Sequence, residues 1–561
     1  MAVVCIRQGA TGSDNGVDWT NAYPSWAAYV SAGITRSDEP YVAGGTYAEE
    51  MACATATSGT TVITVKKATV SDHGTDTGWS AGYATQATFS GGLDIDTSYW
   101  EIDGQEGGFD GADMTTHLGS DHGFNFEVPP VPTPGQYPAC SVAAGQSNVT
   151  FRNCRFAYTR SDYYGGAGGE AADATIYSDN FGDITSIETA VGSAVWVTTS
   201  APHNLLSGDR VGIDDEDSTP LVPDGRLVVA SISSTIFSIS IPPSGVSTPG
   251  TTGKWKQVLG GEPVVDLIGT TGSHISDLLF SYCYLGTSHN SGCQAIYVDG
   301  LEFEYCAFDD IRSGSDGDGW HQSCISNRRV TDLTVKYSVI REVGGSTLFG
   351  AYNDSLVDTD GATYRADGWQ IYGNVFYNRA VPGRTSSHGI GHLGGAELSL
   401  PSRNCYVVQN TFARIDTTGS GSDVRGKCNP GNWQTSSTGC VSQNNLIIDV
   451  EACTAQNNAT LSHNTTRVTA VLGSEYTGTT GQQTTTDTAT TWFTDIANGD
   501  LNLAQDTDAR GSLGSPYDVD MFGNELTSSR GAVQYDGAPP EPEPETGDRG
   551  ATTTLKAWFY H

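Results

Sequence analysis

Between Ser147 and Thr466 one short pattern returns eight times: Asn153-Cys154-Arg155-Phe156, Tyr282-Cys283-Tyr284-Leu285, Tyr305-Cys306-Ala307-Phe308, Tyr337-Ser338-Val339-Ile340, Gly373-Asn374-Val375-Phe376, Gln409-Asn410-Thr411-Phe412, Gln443-Asn444-Asn445-Leu446 and His463-Asn464-Thr465-Thr466. A small or amide residue is followed by any residue and then, in nearly every copy, an apolar one. Alternating runs such as Val149-Thr150-Phe151 and Leu333-Thr334-Val335 precede it, so the unit reads as strand, tight bend, inward-facing residue. From Leu285 the last position recurs at 308, 340, 376, 412, 446 and 466, in steps of 23, 32, 36, 36, 34 and 20 residues. Such periods belong to solenoids, whose units cannot bury an apolar face alone and must stack on their neighbours.

The second position decides which solenoid. Cys154, Cys283, Cys306 and Ser338 give way to Asn374, Asn410, Asn444 and Asn464, so coil after coil sets the same residue type at one bend. Asn tolerates left-handed backbone there, and stacked amides can hydrogen-bond to the coils above and below. This column resembles the right-handed parallel β-helix family, which includes pectate-lyase-like enzymes and phage tailspikes, and the likeness covers most of the chain. It implies an all-β fold: a right-handed parallel β-helix (solenoid) with an N-terminal cap and an inserted small β-barrel.

A chain of 561 residues ordinarily divides into several domains, but a solenoid core grows lengthwise, and one long body is expected. With 69 Gly and only 16% charged residues, composition favours turns and strands over helices. The formal charge of −36 opposes binding to nucleic acid or to an anionic membrane, so neither is an expected partner. The same carboxylates solubilise a large surface, or bind Ca²⁺ or sugar hydroxyls. Met1 to Gly9 shows no basic region followed by an apolar run, and no stretch is long enough to span a membrane, so no signal peptide is expected. The 12 Cys read mostly as reduced, buried thiols, with Cys428 and Cys440 flanking a loop as the one candidate bridge.

In chain order, residues 1–50 read as an N-terminal cap and first coil, with a glycine-rich loop, Trp19, a helical piece from Pro24 to Tyr29 and a strand near Tyr41–Tyr47. The cap would shield the open end of the stack from edge pairing. Residues 51–177 continue the β-helix. Residues 178–262 break the period with strands at Ala190–Thr198, Asp209–Ile213, Gly225–Ala230 and Thr235–Ile241, a small inserted β-barrel. Its His203-to-Val211 turn with Gly208-Asp209 and its closing Gly253-Lys254-Trp255 resemble a barrel module of phage tail and baseplate proteins, with His203 in a structural role. Residues 263–535 are the second part of the β-helix, ending in an Arg530-Gly531-Ala532 turn that resembles the closing segment of such stacks. Residues 536–561 form a Pro/Glu linker and a terminal peptide whose Leu555, Trp558, Phe559 and Tyr560 suit a docking role.

Candidate chemistry falls on three groups of connections. Asp316, Asp318, Trp320 and His321 lie at the lip of the 308-to-340 coil; Asp367 and Trp369 follow; Arg384 and His388 come after them. Asp316, Asp318, His321, Asp367 and His388 are the catalytic candidates, since a carboxyl pair serves glycoside hydrolysis as acid and base or nucleophile. Trp320, Trp369 and Arg384 are glycan-binding candidates, because an indole face beside carboxylates suits a sugar ring. Asp316/Asp318, His388 and Arg425-Gly426-Lys427 resemble polygalacturonase elements, with departures: Ser387 stands for a Gly, the aspartates are not adjacent, and His388 lies about seventy residues on. Asp354, Asp358 and Asp360 offer oxygen ligands for Ca²⁺ but lack EF-hand spacing, and no zinc or phosphate-loop pattern occurs, so no cofactor or metal is indicated. Two classes stay open. One is a bacteriophage virion protein (tail fibre, tailspike or capsid decoration), made in the host cytoplasm and released by lysis, with other virion proteins, a homotrimer and host surface glycan as partners. The other is a polysaccharide hydrolase or lyase.

Overall fold

A computed structural model describes residues 2–532 apart from segments 108–121, 129–137, 159–176, 190–193, 206–209, 215–226, 241–248, 259–262, 289–290, 312–322, 344–348, 352–365, 379–401, 415–426, 429–436, 454–458, 473–482, 486–488, 496–499, 505–514 and 527–530 and the single residues 204, 463 and 523. Its strands wind into three parallel faces. The first face pairs Met51–Cys53, Leu93–Ile95, Cys140–Val142, Val265–Ile268, the leading halves of Ser291–Glu304 and Ser323–Lys336, and Phe349–Ala351. The second runs from Ala2–Ile6 and Asp38–Val42 through Ile63–Lys67, Trp100–Asp103, Ser147–Arg152 and Ile275–Ser281 to Tyr406–Val408, Cys440–Gln443 and Ala459–Ser462. The third stacks Gly45–Tyr47, Ala87–Phe89, Phe124–Val128, Cys154–Tyr158, Tyr284–Ser288, Ala307–Ile311, Val339–Val343, Val375–Asn378, Thr411–Arg414, Leu446–Cys453 and Thr465–Leu472. The protein is a right-handed parallel β-helix.

Alternation within each strand turns every second residue inward, and stacking places like on like. Phe151, Phe280 and Phe303 stack on successive coils at 4.6 and 4.8 Å between ring centroids, as do Phe376 and Phe412 at 4.6 Å. One continuous core results, with Ile6 at one end and Ile447 at the other. At the N-terminus the helix Trp26–Gly33, capped by the Ser25 hydroxyl on the Ala28 amide, buries Trp26 and Tyr29 against this core. The first rung is Ala2–Ile6, so the opening segment is itself a coil strand.

Between the second and third faces the chain turns through one left-handed residue per coil: Asn153, Tyr282, Tyr305, Tyr337, Gly373, Gln409 and Asn444, with φ between 51° and 66°. The column of Cys and Asn sits one residue later, which corrects the expectation that the column itself carries the left-handed backbone. The Cys and Asn members of the column send their side chains to the same carbonyl one coil back, while the Ser338 hydroxyl donates to Lys336 O of its own coil. Cys154, Cys283 and Cys306 direct their thiols at Ile102, Phe151 and Phe280, while Asn374, Asn410, Asn445 and Asn464 donate from Nδ2 to Val335, Ile371, Val407 and Ser442. Asn445, not Asn444, is the seventh member. Leu446 pairs with Thr411 and Ile447 with Phe412, so Ile447 joins the interior and Leu446 faces out.

From Tyr177 to Val258 the pairing is antiparallel. The sheet order begins with Leu227–Val228 and ends with Ala230–Ser233, which are consecutive in the chain, so the sheet closes on itself through Val229. Ile187, Val197, Val211, Phe237 and Trp255 fill its interior. His203 is buried there, its Nδ1 accepting from the Leu205 amide at 2.9 Å and its ring edge-on to Phe237 and Trp255.

The last described segment does not lie over the end of the stack, as the closing-turn likeness implied. It runs along the flank: Tyr517 packs on Tyr372 and Tyr406, Gly531 N donates to Asn444 O, and Ala532 N donates to Thr411 Oγ1. The outward positions it accompanies, Val339, Val375, Leu446, Tyr377, Ala413 and Ile448, form a second apolar cluster with Trp492, Phe493 and Met521. The equivalent positions on earlier coils carry Asn125, Arg155 and Glu127, a polar surface held together by Arg155 bonds at 2.8 Å to both partners. The described cysteines Cys5, Cys53, Cys140, Cys154, Cys283, Cys293, Cys306, Cys324, Cys405 and Cys440 are buried free thiols. A Cys428–Cys440 bridge is ruled out, because Cys440 lies beside Cys405 on the second face while Cys428 pairs in register with Cys453 on the third.

Candidate functional site

The three corners of this prism differ. From Asn153 onward the second-to-third corner is closed by the single left-handed residues just described, whereas on two earlier coils the segments 68–86 and 104–123 span it. At the first-to-second corner the register-equivalent positions Tyr99, Asn148, Asp277, Gly300, Asp332, Gly368, Asn404 and Gly439 are all left-handed, with φ between 51° and 74°. Only short side chains or none relieve this geometry at most coils, and Gly368 is required: a Cβ there would come within 2.2 Å of Asp332 Oδ1.

Long connections leave the coil at more than one corner: segments 68–86 and 104–123 join the second face to the third, and segment 352–365 joins the first to the second. On the third face, strands ending at Tyr158, Ile311, Asn378 and Arg414 are each followed by a long segment before the next strand, and the antiparallel sheet from Tyr177 to Val258 is inserted after the first of them. Asp316, Asp318, Trp320 and His321 lie outside the described residues, in the segment joining Ile311 to Ser323. Arg384 and His388 also lie outside them, in the segment that follows Asn378. Ile311 and Asn378 end third-face strands two coils apart, about 10 Å along the axis. Asp354, Asp358, Asp360, Leu555, Trp558, Phe559 and Tyr560 lie outside the described residues as well.

Two expected site residues stand elsewhere. Trp369 is no platform: it is 3% exposed, belongs to the main core, and donates from Nε1 to Val330 O at 2.9 Å. The parity of the strand explains it, since Trp369 and Ile371 share the inward side. Asp367 lies at the first-to-second corner and is engaged by Arg403 of the next coil through Nε at 2.9 Å and through Nη2. Neither residue joins the third-to-first corner.

Near the third-to-first corner, on the outer side of the third face, lies a buried ion pair that no local sequence pattern announces. Arg341 contacts Asp309 of the previous coil through two parallel bonds, 2.7 Å from Nε and 2.5 Å from Nη2, with both residues buried. Burial works against the guanidinium charge, and the Asp309 carboxylate more than restores it. On the outer first face Glu50, Asp94 and Asp96 gather; burial first, then repulsion from Asp94, raises Glu50 and Asp96 above ordinary carboxylate values. No group of three or more ligating side chains suited to a metal occurs among the described residues. No helix among them is long and apolar enough to cross a membrane.

No family model matches the sequence, and no curated protein matches it. Solved structures do. Pectate lyase Pel9A is 11% identical over 95% of this chain and 96% of its own, with a TM-score of 0.38. PfbA, a surface adhesin of Streptococcus pneumoniae, is 11% identical over 83% of this chain and 87% of its own, with a TM-score of 0.35. The tailspike protein gp49 from Pseudomonas phage LKA1 is 12% identical over 69% of this chain and 51% of its own, with a TM-score of 0.21. At this distance, what this chain does has to be read from its own surface.

Proposed function

We propose that this chain is a bacteriophage virion structural protein, a tail fibre, tailspike or capsid decoration, whose β-helix body presents the third-to-first corner to glycan on the host surface. One observation supports it most: the stacked faces form a rigid scaffold from which long connections leave, and those at the third-to-first corner include the inserted antiparallel sheet and the segments that follow Ile311 and Asn378. A rigid scaffold that carries long surface connections is organised for recognition. Trp320 and Arg384 are the glycan contacts in this reading, and other virion proteins, with a trimer of this chain, are its protein partners. The terminal Leu555, Trp558, Phe559 and Tyr560 dock on such a partner across the Pro/Glu linker.

The test is a carbohydrate array probed with the full chain. Binding that Trp320→Ala abolishes supports the reading, and a blank array rejects it. A polysaccharide-cleaving enzyme is the second reading, favoured by the two-coil separation of the strand ends that bound the Asp316/Asp318/His321 and His388 segments. Release of reducing ends or of unsaturated product from host polysaccharide would establish it in place of simple adhesion.

A further inference from the structure

We propose that a trough on the outside of the second face, beside the first-to-second corner, is a separate binding site for an uncharged or amino-bearing glycan chain. It rests on the glycan reading above. The trough has a volume of about 410 Å³ and crosses four coils. Val62, Tyr99, Asn148 and Asp277 occupy one register position on those coils and form one wall; Glu101 and Thr150, one row over, form the other.

Three features mark it as a built surface. First, Trp100 lies beneath it with its ring buried in the core, fixed by a bond from Nε1 to Thr97 Oγ1 at 2.9 Å and by the Arg36 guanidinium 5.2 Å from the ring centroid. Second, Tyr99 is held in left-handed backbone (φ 68°), which is costly for a bulky residue, and its carbonyl is clamped by Arg36 Nη1 at 2.7 Å. The same register position holds Val62 on the coil before and Asn, Asp or Gly on the coils after, so packing alone does not call for an aromatic ring there. Third, the walls present an amide, a hydroxyl and two carboxylates at a half-exposed tyrosine, the mixture of apolar face and hydrogen-bonding groups that a sugar ring takes. The spacing fits too: coils repeat every ~4.8 Å, close to the rise of an extended pyranose chain, so a glycan lying along the axis would meet one coil per sugar.

Charge selects the class. Glu101 and Asp277 face the trough, and the adjacent cation, Arg152, is already engaged by Glu101 at 3.1 Å. A uronic or sialic acid chain would bring its carboxylates against Asp277, with no Lys or Arg among the lining residues to receive them, whereas neutral or amino sugars would not.

The full chain would be titrated calorimetrically with neutral, amino-bearing and acidic oligosaccharides of four or more sugars. Tyr99→Asn keeps a residue that accepts left-handed backbone and removes the ring, and should weaken binding of the preferred class about tenfold. Thr150→Arg, an outward strand position, should move preference toward the acidic oligosaccharide. If both variants bind as the parent does while Trp320→Ala abolishes binding, the trough is no site and the corner reading stands. If the parent binds none of the three classes, both readings fall.

Discussion

The side-chain oxygen of Asn410 accepts two hydrogen bonds from Asn374 of the preceding coil, from its backbone amide and from its Nδ2, each at 3.1 Å. Asn410 in turn gives its backbone N–H and its Nδ2 to Asn445 Oδ1, at 3.0 and 3.2 Å, and Asn445 gives the same pair to Asn464. Every bend amide is satisfied by the next coil, so removing one member leaves donors and acceptors unpaired on both sides. Asn410→Leu should therefore destabilise by about 1–3 kcal/mol, and a thermal melt unchanged by it would refute the ladder.

The left-handed position before the column gives a second expectation. Gly373 has φ 66°, and a Cβ there would sit 2.7 Å from Tyr337 Cδ1. Elsewhere in this column a tyrosine tolerates such backbone because it stacks, as Tyr282 does on Tyr305 at 5.0 Å and 5°. Alanine at 373 would have the strain and a clash with no stack, costing about 1–2 kcal/mol in chemical denaturation.

How far the sequence could be read is visible at these same residues. The repeat, the stacked column and the resulting fold were legible because they are local and recur. Gln443-Asn444-Asn445 puts two amides side by side, and only the pairing of Leu446 with Thr411 shows which one belongs to the column. Asp367-Gly368-Trp369 looked like an exposed turn, yet Gly368 is the corner and Trp369 the first inward residue after it. The Asp309–Arg341 pair joins residues 32 apart, and the flank-packed Tyr517 meets Tyr372 across a much longer separation. Nothing local announces either contact.

That ion pair carries a stability prediction. With both groups buried, Asp309→Asn leaves a guanidinium charge uncompensated and should cost about 3–5 kcal/mol. The double replacement Asp309→Leu with Arg341→Met removes both charges and should recover most of the loss. Urea unfolding of the two variants and the parent decides it; a double variant as unstable as the single one would mean that the pair acts through packing alone.

Lys67 faces inward at the end of its strand, 0% exposed, with Nζ directed at the carbonyls of Ala68 and Tyr83. Burial lowers its pKa to about 8, with Glu106 opposing the shift. A folded-state value below the unfolded one means that the unfolded chain binds the extra proton between pH 8 and about 10.5, so this lysine makes the fold more stable as pH rises through that window, by up to about 3 kcal/mol. Below pH 8 it is a standing cost. Lys67→Met should raise stability at pH 7 and abolish this rise, read as the difference between variant and parent unfolding at pH 7.5 and pH 10. An equal difference at both pH values would show that Lys67 does not titrate there.

Two truncations separate what the C-terminal region does for the fold from what it does for assembly. The segment carrying Tyr517, Met521 and Ala532 covers Val375, Val408, Leu446 and Ile448 on the flank of the stack, and uncovering large apolar side chains costs about 2 kcal/mol each. Deleting residues 505–561 should therefore lower the melting transition markedly. Deleting residues 536–561 leaves that cover in place and removes only the Pro/Glu linker with Leu555, Trp558, Phe559 and Tyr560, so the melt should hold while incorporation into particles, or self-association, is lost. Aromatic anchors on a linker gain their effect from effective concentration at a partner's pocket, so the loss should be steep rather than graded. If the shorter deletion assembles normally and melts lower, those four residues fold back on their own chain, and the docking role is wrong.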